Sequence, residues 1–413
     1  MKMGEKGATV RLGIIGLGGR GCGQTETLIQ MPDVEVVAVC DVYPDRVEKG
    51  RELVYKHRGV YPDGETDFRR VLSRGDVDAV CVFTSWETHI DICVQAMRAG
   101  KRVATEVGGA NSVDECWKLV RAKEETGIEC MMLENCCYGK EEMTLLNMIR
   151  QGVFGTVVHC QGGYEHDLRD EIGMGDVNRH YRQRHFLHRN AELYPTHELG
   201  PIAEYLNLNR GNRMVSLVSM SSKAAGLHEW LTEHRAGTGL DAAQVNQGDI
   251  VTTMIRCANG ETILLTHDCT LPRPYSRGGR IQGTKCIWME DNRSIYIENV
   301  SPSDPTYWTH RWENDEKYMR EYEHPLWKEY EEFGLRGGHG GMDYLVLRAF
   351  VESVQKNECP PIDTYDTASW MAITALSAES IACGSAPVAV PDFTEGRWLQ
   401  KRESFATGEY ALN

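Results

Sequence analysis

Leu12-Gly13-Ile14-Ile15-Gly16-Leu17-Gly18-Gly19-Arg20-Gly21 decides how this chain is read. The apolar run Val10–Ile15 has the length and composition of a buried strand. Gly16, Gly18 and Gly21 follow at the G-x-G-x-x-G spacing, and a helix-compatible stretch comes next. In a dinucleotide site the first glycine makes a tight turn, the second admits the pyrophosphate and the third lets helix pack on strand. The phosphates then sit at the positive end of that helix. The spacing alone is weak in a chain with 41 glycines, where it also fits an ordinary glycine turn. A second apolar run, Val34–Cys40, strengthens it by ending in Asp41, 20 positions past Gly21. A carboxylate there accepts hydrogen bonds from an adenosine ribose and repels a 2′-phosphate, so the expected cofactor is NAD. Arg46, a few residues on, is within reach of a 2′-phosphate and is the feature that favours NADP.

Outward from this loop, short apolar runs alternate with amphipathic segments. The further runs are 79–83, Arg102–Thr105 and 129–133, and the segments include 45–56, 88–99 and Val113–Thr126. In the last, Val113, Trp117, Val120 and Lys123 recur at helical spacing. This alternation predicts a parallel sheet with helices on both faces, and ligands beyond the carboxyl ends of its strands. After Gly155 the pattern changes. Residues 157–162, 214–220, Ile250–Cys257, 262–267, 280–282, 287–289 and Ser294–Ile297 read as strands without intervening helices, with Asn259-Gly260 as a hairpin turn. The expected architecture is α/β. A Rossmann-type dinucleotide-binding domain, residues 1–152, is followed by an α/β domain with an open antiparallel sheet, residues 153–413. Helices are expected over 341–356 and 364–383. Residues 301–338, rich in Trp, Tyr, His, Glu and Arg, read as a surface or subunit-contact segment, or as a cover for the site.

At 413 residues the chain suits two domains. Its hydrophobic fraction of 41% and charged fraction of 25% are those of a soluble globular protein. A net charge of −15 argues against nucleic acid or an anionic membrane surface as partner. The 14 cysteines form no C-x-x-C pair and only Cys136-Cys137 are adjacent, so buried thiols in a reducing compartment are expected, with neither a zinc site nor a disulfide framework. Residues 1–9 hold no apolar h-region and no twin arginine, and no segment approaches 18 apolar residues. A cytoplasmic location is expected. No metal-ligand spacing and no G-x-S-x-G nucleophile elbow are present in the sequence.

Four clusters carry candidate chemistry. In Thr84-Ser85-Trp86-Glu87-Thr88-His89, at a strand end, Trp86 and His89 either line the nicotinamide ribose or serve the start of the next helix. Glu106-Val107-Gly108-Gly109 lets backbone pass close to the nicotinamide, a reading that does not exclude a plain loop. In Gly162-Gly163-Tyr164-Glu165-His166-Asp167, Tyr164 and His166 share a strand face, and a phenol beside an imidazole suits proton transfer. A half-buried structural tyrosine is the competing reading. Tyr194-Pro195-Thr196-His197 opens an apolar helix over 199–208. Pro195 fixes the entry, Thr196 is placed to cap, and a helix N-terminus favours a neutral imidazole. His197 is therefore the first choice for a general base, against the reading of a helix-start histidine. The basic run 179–189 reads as a solvated charge run from which Arg182 is drawn in to bind substrate hydroxyls, and His339, in a run of glycines, is a further candidate.

Taken together, these blocks resemble the Gfo/Idh/MocA oxidoreductases. Within that superfamily the sequence is most similar to glycoside hydrolase family 109, the NAD-dependent α-N-acetylgalactosaminidases. The likeness spans residues 11–382 and is carried by 84–89, Glu106-Val107, 131–135, 163–169, 193–201 and 273–276, of which the Tyr-Pro-Thr-His block is the most specific. The resemblance implies that Gly19, Arg20, Asp41, Trp86, His89, Glu106, Val107 and Asn135 contact NAD. It implies that Tyr164, Arg182, Tyr194, His197 and Tyr275 contact a sugar, with Glu134 and His166 beside them, so that His197, Tyr194, Tyr164, His166 and Glu134 form the catalytic set. Dehydrogenases of the superfamily carry Glu-Lys-Pro where this chain has Glu106-Val107-Gly108. Valine cannot handle a proton as that lysine does, which fits the glycosidase branch. Gly108 departs from both groups, because the glycosidases resemble Glu-Val-Pro there. The implied reaction is redox-neutral: transient oxidation at C3, deprotonation at C2, elimination at C1, water addition and re-reduction. It needs bases for the O3 and C2 protons and donors for an enolate, unlike a two-carboxylate glycosidase. The implied partner is a small-molecule sugar or glycoside, and superfamily members pair through the open sheet, so a homo-oligomer is expected. An NAD-dependent sugar or polyol dehydrogenase and a non-catalytic NAD-binding protein are the alternatives.

Overall fold

Six strands build the first sheet of the computed structural model, which describes residues 7–306, 309–400, 410 and 412. They are β1 (Val10–Ile15), β2 (Val34–Cys40), β3 (Asp63–Glu65), β4 (Ala79–Val82), β5 (Arg102–Thr105) and β6 (Cys130–Met132), in the order β3-β2-β1-β4-β5-β6, all parallel. The helices Gly19–Ile29, Pro44–Arg58, Trp86–Arg98 and Val113–Thr126 connect them. A sheet covered on both faces needs apolar residues at successive positions, and the buried run Ala79 to Val82 is that pattern. The three-residue β3 was not anticipated, because Asp63-Gly64-Glu65 carries no apolar signal; its pairing with Ala38, Val39 and Cys40 makes it a strand. Strand order reverses beside β1, with β2 on one flank and β4 on the other. Ligands bind at such a switch point.

The second sheet has nine strands. They are β7 (Val157–Glu165), β8 (Met214–Ser221), β9 (Ile250–Cys257), β10 (Thr262–Asp268), β11 (Arg280–Gly283), β12 (Cys286–Met289), β13 (Ser294–Ile297), β14 (Glu313–Asn314) and β15 (Val388–Ala389), ordered β14-β13-β12-β11-β7-β10-β9-β8-β15. The expected antiparallel arrangement is corrected at one place. β10 runs parallel to β7, with Leu265 opposite Gly162 and Asp268 opposite Glu165, so the sheet is mixed. A parallel neighbour requires a long crossover. The chain supplies it with helices Arg169–Gly173, Gly175–Asn178, Arg182–His188, Thr196–Tyr205 and Gly226–His234. The expectation of strands without intervening helices fails for that reason. Asn259-Gly260 does join β9 to β10, with Gly260 at φ 103°.

Residues 301–338 are more than surface. They include β14 and the helices Glu316–Glu321 and Pro325–Phe333, and Trp327 and Tyr330 are buried. Trp327 Nε1 donates to the Tyr138 carbonyl at 3.0 Å. The short helices leave little periodicity to read. Tyr307 and Trp308 lie outside the described residues. The helix Met342–Lys356 returns to the first sheet, where Arg348 Nη1 meets Asp33 Oδ1 at 2.7 Å with both side chains buried. Burial pushes the Asp33 carboxyl up, but the bonds from Arg348 and Gln355 outweigh it and hold it below the usual range. No helix among the described residues is long and apolar enough to cross a membrane.

Two predictions follow from buried charge. Arg348→Ala strips Asp33 of its cation and should cost about 3 kcal/mol, read as a lower urea midpoint. An unchanged midpoint would contradict the pairing. Glu192 is fully buried, with the Tyr194 N–H at 3.4 Å as its hydrogen-bond donor, and burial pushes its carboxyl from 4.5 up to about 8. The folded chain then holds a proton that the unfolded chain releases. That contribution to stability is complete below pH 4.5 and is lost as pH rises to about 8. Glu192→Gln should remove the dependence, so the variant gains on wild type between pH 5 and 8 by at most about 1.4 kcal/mol per pH unit. A constant difference in urea midpoint across that range would refute it.

Candidate active site

A cleft of about 730 Å³ opens at the carboxyl ends of β1, β2, β4 and β5 and is bounded on its far side by Tyr164, Tyr194, His197 and residues 178–184. The loop at its head is shaped by space. A Cβ on Gly16, which sits at φ 100°, would lie 2.5 Å from the Phe83 carbonyl carbon. A Cβ on Gly21 would lie 2.0 Å from the Gly16 carbonyl oxygen. Gly18 caps the helix Gly19–Ile29 and faces the cleft with Gly19. Tight turn, open cradle and close packing thus fall on the first, second and third glycines, as a bound pyrophosphate requires. Asp41 lies at the end of β2 and accepts from the backbone N–H groups of Leu17 (2.8 Å) and Tyr43 (3.0 Å). Arg46 Nη2 donates to the carbonyls of Asn178 (3.3 Å) and Arg179 (3.4 Å), and its Nη1 is 4.0 Å from Asp41. The cation that favoured a 2′-phosphate is therefore committed elsewhere, and the residues present fit NAD.

Further in, Arg20 holds the floor. Its Nε donates to Glu106 at 2.6 Å and its Nη1 and Nη2 to Asp343 at 2.8 and 3.0 Å. Asn135 Nδ2 donates to the same Asp343 at 2.8 Å. Burial works against the Asp343 charge, but His339 and Arg20 outweigh it and hold the carboxyl well below the usual range. Glu106 also accepts from the Val107 N–H at 2.9 Å, which fixes the backbone under the cleft. Sequence reasoning missed Asp343. It lies 323 positions from Arg20, and the only local sign is an acidic residue in the first turn of a helix after a run of glycines.

Trp86 and His89 lie behind the cleft wall, which Phe83, Thr84, Ser85 and Thr88 form instead. The Trp86 indole packs against Tyr181 (4.9 Å), His185 (5.1 Å) and Tyr194 (5.8 Å). Gly108 explains its own departure from proline. It stands at φ 157°, which a proline ring cannot adopt, and a Cβ there would lie 2.3 Å from Trp86 Cδ1. His89 Nε2 bonds the Thr84 carbonyl at 2.9 Å, and burial keeps its imidazole below the usual range.

At the other end His197 Nδ1 meets Glu134 Oε1 at 2.7 Å. Glu134, just past β6, is fully buried. Burial pushes its carboxyl up, but the His197 imidazole and the Cys136 N–H outweigh this and hold it below the usual range. An anionic carboxylate on Nδ1–H fixes the tautomer and leaves Nε2 with its lone pair toward the cleft. The expected cap is corrected: the helix Thr196–Tyr205 starts at Thr196 itself, Pro195 occupies the cap position, and no side chain caps it. His197 is thus oriented by a carboxylate rather than by a cap. Tyr164 at the end of β7 bonds His166 Nδ1 at 3.2 Å, as residues two apart on one face permit. Tyr194 lies 4.4 Å from the Tyr164 ring and 4.8 Å from the His197 ring. Burial pushes both phenols above their usual range, with Arg182 opposing it. Burial and the same Arg182 push His166 down. The Arg182 guanidinium stands 5.1 to 5.7 Å from the rings of Tyr194, Trp86 and Tyr164. Burial disfavours its charge, but the Glu171 carboxylate 3.5 Å from Nε outweighs it and the guanidinium stays protonated. Tyr275 is half-exposed at the rim, 5.1 Å from the His166 ring.

The fold therefore brings two neutral phenols, a permanent cation and a carboxylate-backed imidazole to one end of a cleft whose other end is a dinucleotide loop. Glu134, Cys136 and His197 also offer ligand atoms within 4.8 Å of one another. The Glu134–His197 hydrogen bond occupies that arrangement, and burial pushes the Cys136 thiol well up, away from the thiolate a metal takes.

Comparison with known proteins agrees with this geometry. Residues 10–133 match the oxidoreductase family with an NAD-binding Rossmann fold, and residues 138–400 match the glycosyl hydrolase 109 C-terminal domain. A glycosyl hydrolase family 109 protein of Stenotrophomonas maltophilia (strain K279a) is 42% identical, covering 98% of this chain and 94% of its own. An alpha-N-acetylgalactosaminidase of Tannerella forsythia is 39% identical over 98% of this chain and 90% of its own. Among solved structures, levoglucosan dehydrogenase in complex with NADH and levoglucosan superposes with a TM-score of 0.68 at 17% identity, covering 93% of this chain and all of the other. Apo scyllo-inositol dehydrogenase from Lactobacillus casei does so with 0.65 at 14%, covering 94% and 99%. These two share the fold. The first part of the chain is an NAD-binding Rossmann domain, and the chain as a whole belongs to glycosyl hydrolase family 109.

Proposed function

We propose that this protein is an NAD-dependent glycosidase acting on α-N-acetylgalactosaminides, with residues 1–152 carrying the cofactor and residues 153–413 the sugar. The observation that carries the reading is the 2.7 Å bond between Glu134 and His197, placed in the same cleft as the glycine loop. Family membership and the named Tannerella forsythia relative point the same way.

When bound, NAD would supply a reversible hydride acceptor for C3, and a ketone there would acidify the C2 proton. The chain's residues do the rest. Gly16, Gly18, Gly19 and Gly21 would hold the pyrophosphate end, Arg20 would stand further in beside the cofactor, and Asp41 would select the ribose. His197 and Tyr194 stand nearest the proton transfers at O3 and C2. Glu134 stabilises the imidazolium that forms when His197 accepts a proton. Tyr164 and Tyr194 keep their protons, so they donate hydrogen bonds to oxygen where enolate charge develops, beside the fixed charge of Arg182. His166 and Tyr275 complete the sugar wall. Val107 presents no proton-handling group under the cleft, which separates this site from the lysine-dependent dehydrogenases.

Copies of the chain are proposed to pair through the outward face of the second sheet, where Val218, Met254 and Leu264 stand side by side in register. Light scattering at a single-chain mass would overturn that pairing.

The decisive assay is an aryl α-N-acetylgalactosaminide in D₂O with no added cofactor. The released sugar should carry deuterium at C2, with no net NADH. A released sugar without deuterium at C2 overturns the mechanism, and stoichiometric NADH from a free sugar assigns a dehydrogenase instead. His197→Ala should lower kcat by roughly 10²- to 10⁴-fold and Glu134→Gln by roughly 10²-fold, with bound NAD retained. Wild-type rates in both variants would remove the pair from the chemistry.

A further inference from the structure

The basic run 179–189 remains to be explained. It is not a solvated face. Arg179 Nη1 and Nη2 bond both oxygens of Asp45 at 3.0 and 2.7 Å. From the other side Arg46 donates to the Asn178 and Arg179 carbonyls. The Tyr43 ring lies between the two guanidinium groups, 4.9 Å from Arg46 and 4.4 Å from Arg179. One turn on, Glu87 takes Arg184 and, at 3.1 Å, His185 Nε2. Arg189 reaches Asn111 Oδ1 at 3.1 Å and the Ala110 carbonyl at 3.2 Å. Asp45, Glu87, Ala110 and Asn111 lie in the loops or first helical turns that follow β2, β4 and β5. The run is thus stapled to three strand ends of the first sheet, those of β2, β4 and β5. Its inner side, Asn178, Arg179, His180, Tyr181 and Arg182, lines the cleft opposite Asp41 and the glycine loop.

We infer that residues 178–189 form a strap that retains the dinucleotide between turnovers, and that Arg179, Arg184 and Arg189 are positioning residues that pin it. This rests on the reading of NAD as a resident catalyst. Only two residues, His180 and Tyr181, separate the Arg179 staple from Arg182 at the sugar end. Loosening the strap therefore both opens the adenosine end and frees Arg182 from its place over Tyr164 and Tyr194. A sugar that engages Arg182 holds the strap closed and so tightens the hold on NAD, and by reciprocity bound NAD tightens the hold on the sugar.

The test follows loss of bound NAD from the purified full chain after rapid removal of free nucleotide, for wild type, Arg179→Ala, Glu87→Gln and their combination. Partly exposed ion pairs are each worth little, so each single change should speed release roughly twofold to fivefold and the pair roughly tenfold. N-acetylgalactosamine at saturation should slow release from wild type. Exchanging the charges in Asp45→Arg with Arg179→Asp should restore the slow rate, a rescue that general loosening would not give. The sugar KM of Arg179→Ala should rise more than its kcat falls. Equal release rates in all variants overturn the strap while leaving the glycosidase reading intact. Wild type isolated without nucleotide overturns the resident cofactor and the strap together. Faster release in the variants of a protein that cleaves no glycoside keeps the strap and overturns only the proposed reaction.

Discussion

A carboxylate from the end of the first sheet bonds an imidazole from the second part of the chain, and the site depends on that contact. Glu134 follows β6 and His197 begins the helix Thr196–Tyr205. Neither position is informative alone. A fully buried glutamate with no hydrogen-bond donor would stay neutral, and an unsupported histidine would sample both tautomers. Brought to 2.7 Å, each sets the state of the other. A second contact of the same kind, from Asp343 to Arg20 and Asn135, ties the last helices to the glycine loop. Two buried carboxylates thus tie the first sheet to helices that follow it far along the chain.

Much of this was legible in the residues, and what was not shares one cause. The apolar runs that became β1, β2, β5, β9 and β13 matched the strand bounds, because their core faces are continuous and their ends are marked by turn residues. The glycine loop and Asp41 were legible because the chemistry demands fixed spacing along one strand-turn-helix. Tyr164 with His166 was legible because a strand repeats every two residues. Long-range pairs leave no such mark. Glu134 with His197, Arg20 with Asp343 and Arg348 with Asp33 are separated by 63, 323 and 315 positions. The parallel pairing of β7 with β10 escaped for the same reason, since it depends on a crossover whose short helices have weak periodicity. Family resemblance supplied some of what spacing could not, but it named Trp86 and His89 without showing that one supports Tyr194 and the other ties down a backbone carbonyl.

Charge in the sugar end is arranged by burial more than by pairing. The phenols are held neutral, His166 is pushed toward its neutral form, and Arg182 stays charged among three aromatic rings. Glu171 stands 3.5 Å from the Arg182 Nε, and the aromatic faces enclose the rest of the cation. Such a pocket favours oxygen atoms that gain negative charge during reaction, and favours an already anionic substrate too. Selectivity for a neutral sugar must then come from the shape set by Tyr164, Tyr194 and Tyr275 rather than from Arg182.

The same scaffold in its structural neighbours supports net oxidation, and the difference lies in few atoms. A dehydrogenase must release reduced cofactor each cycle, so its cleft has to open to solvent. A redox-neutral cycle gains nothing from release and loses a turnover whenever it happens. Val107 offers no proton-handling group beneath the cleft, while the carboxylate-backed His197 imidazole faces its far side. An enzyme with that pairing is expected to invest in holding its cofactor. The basic run joined to the ends of three strands is the proposed place for that hold.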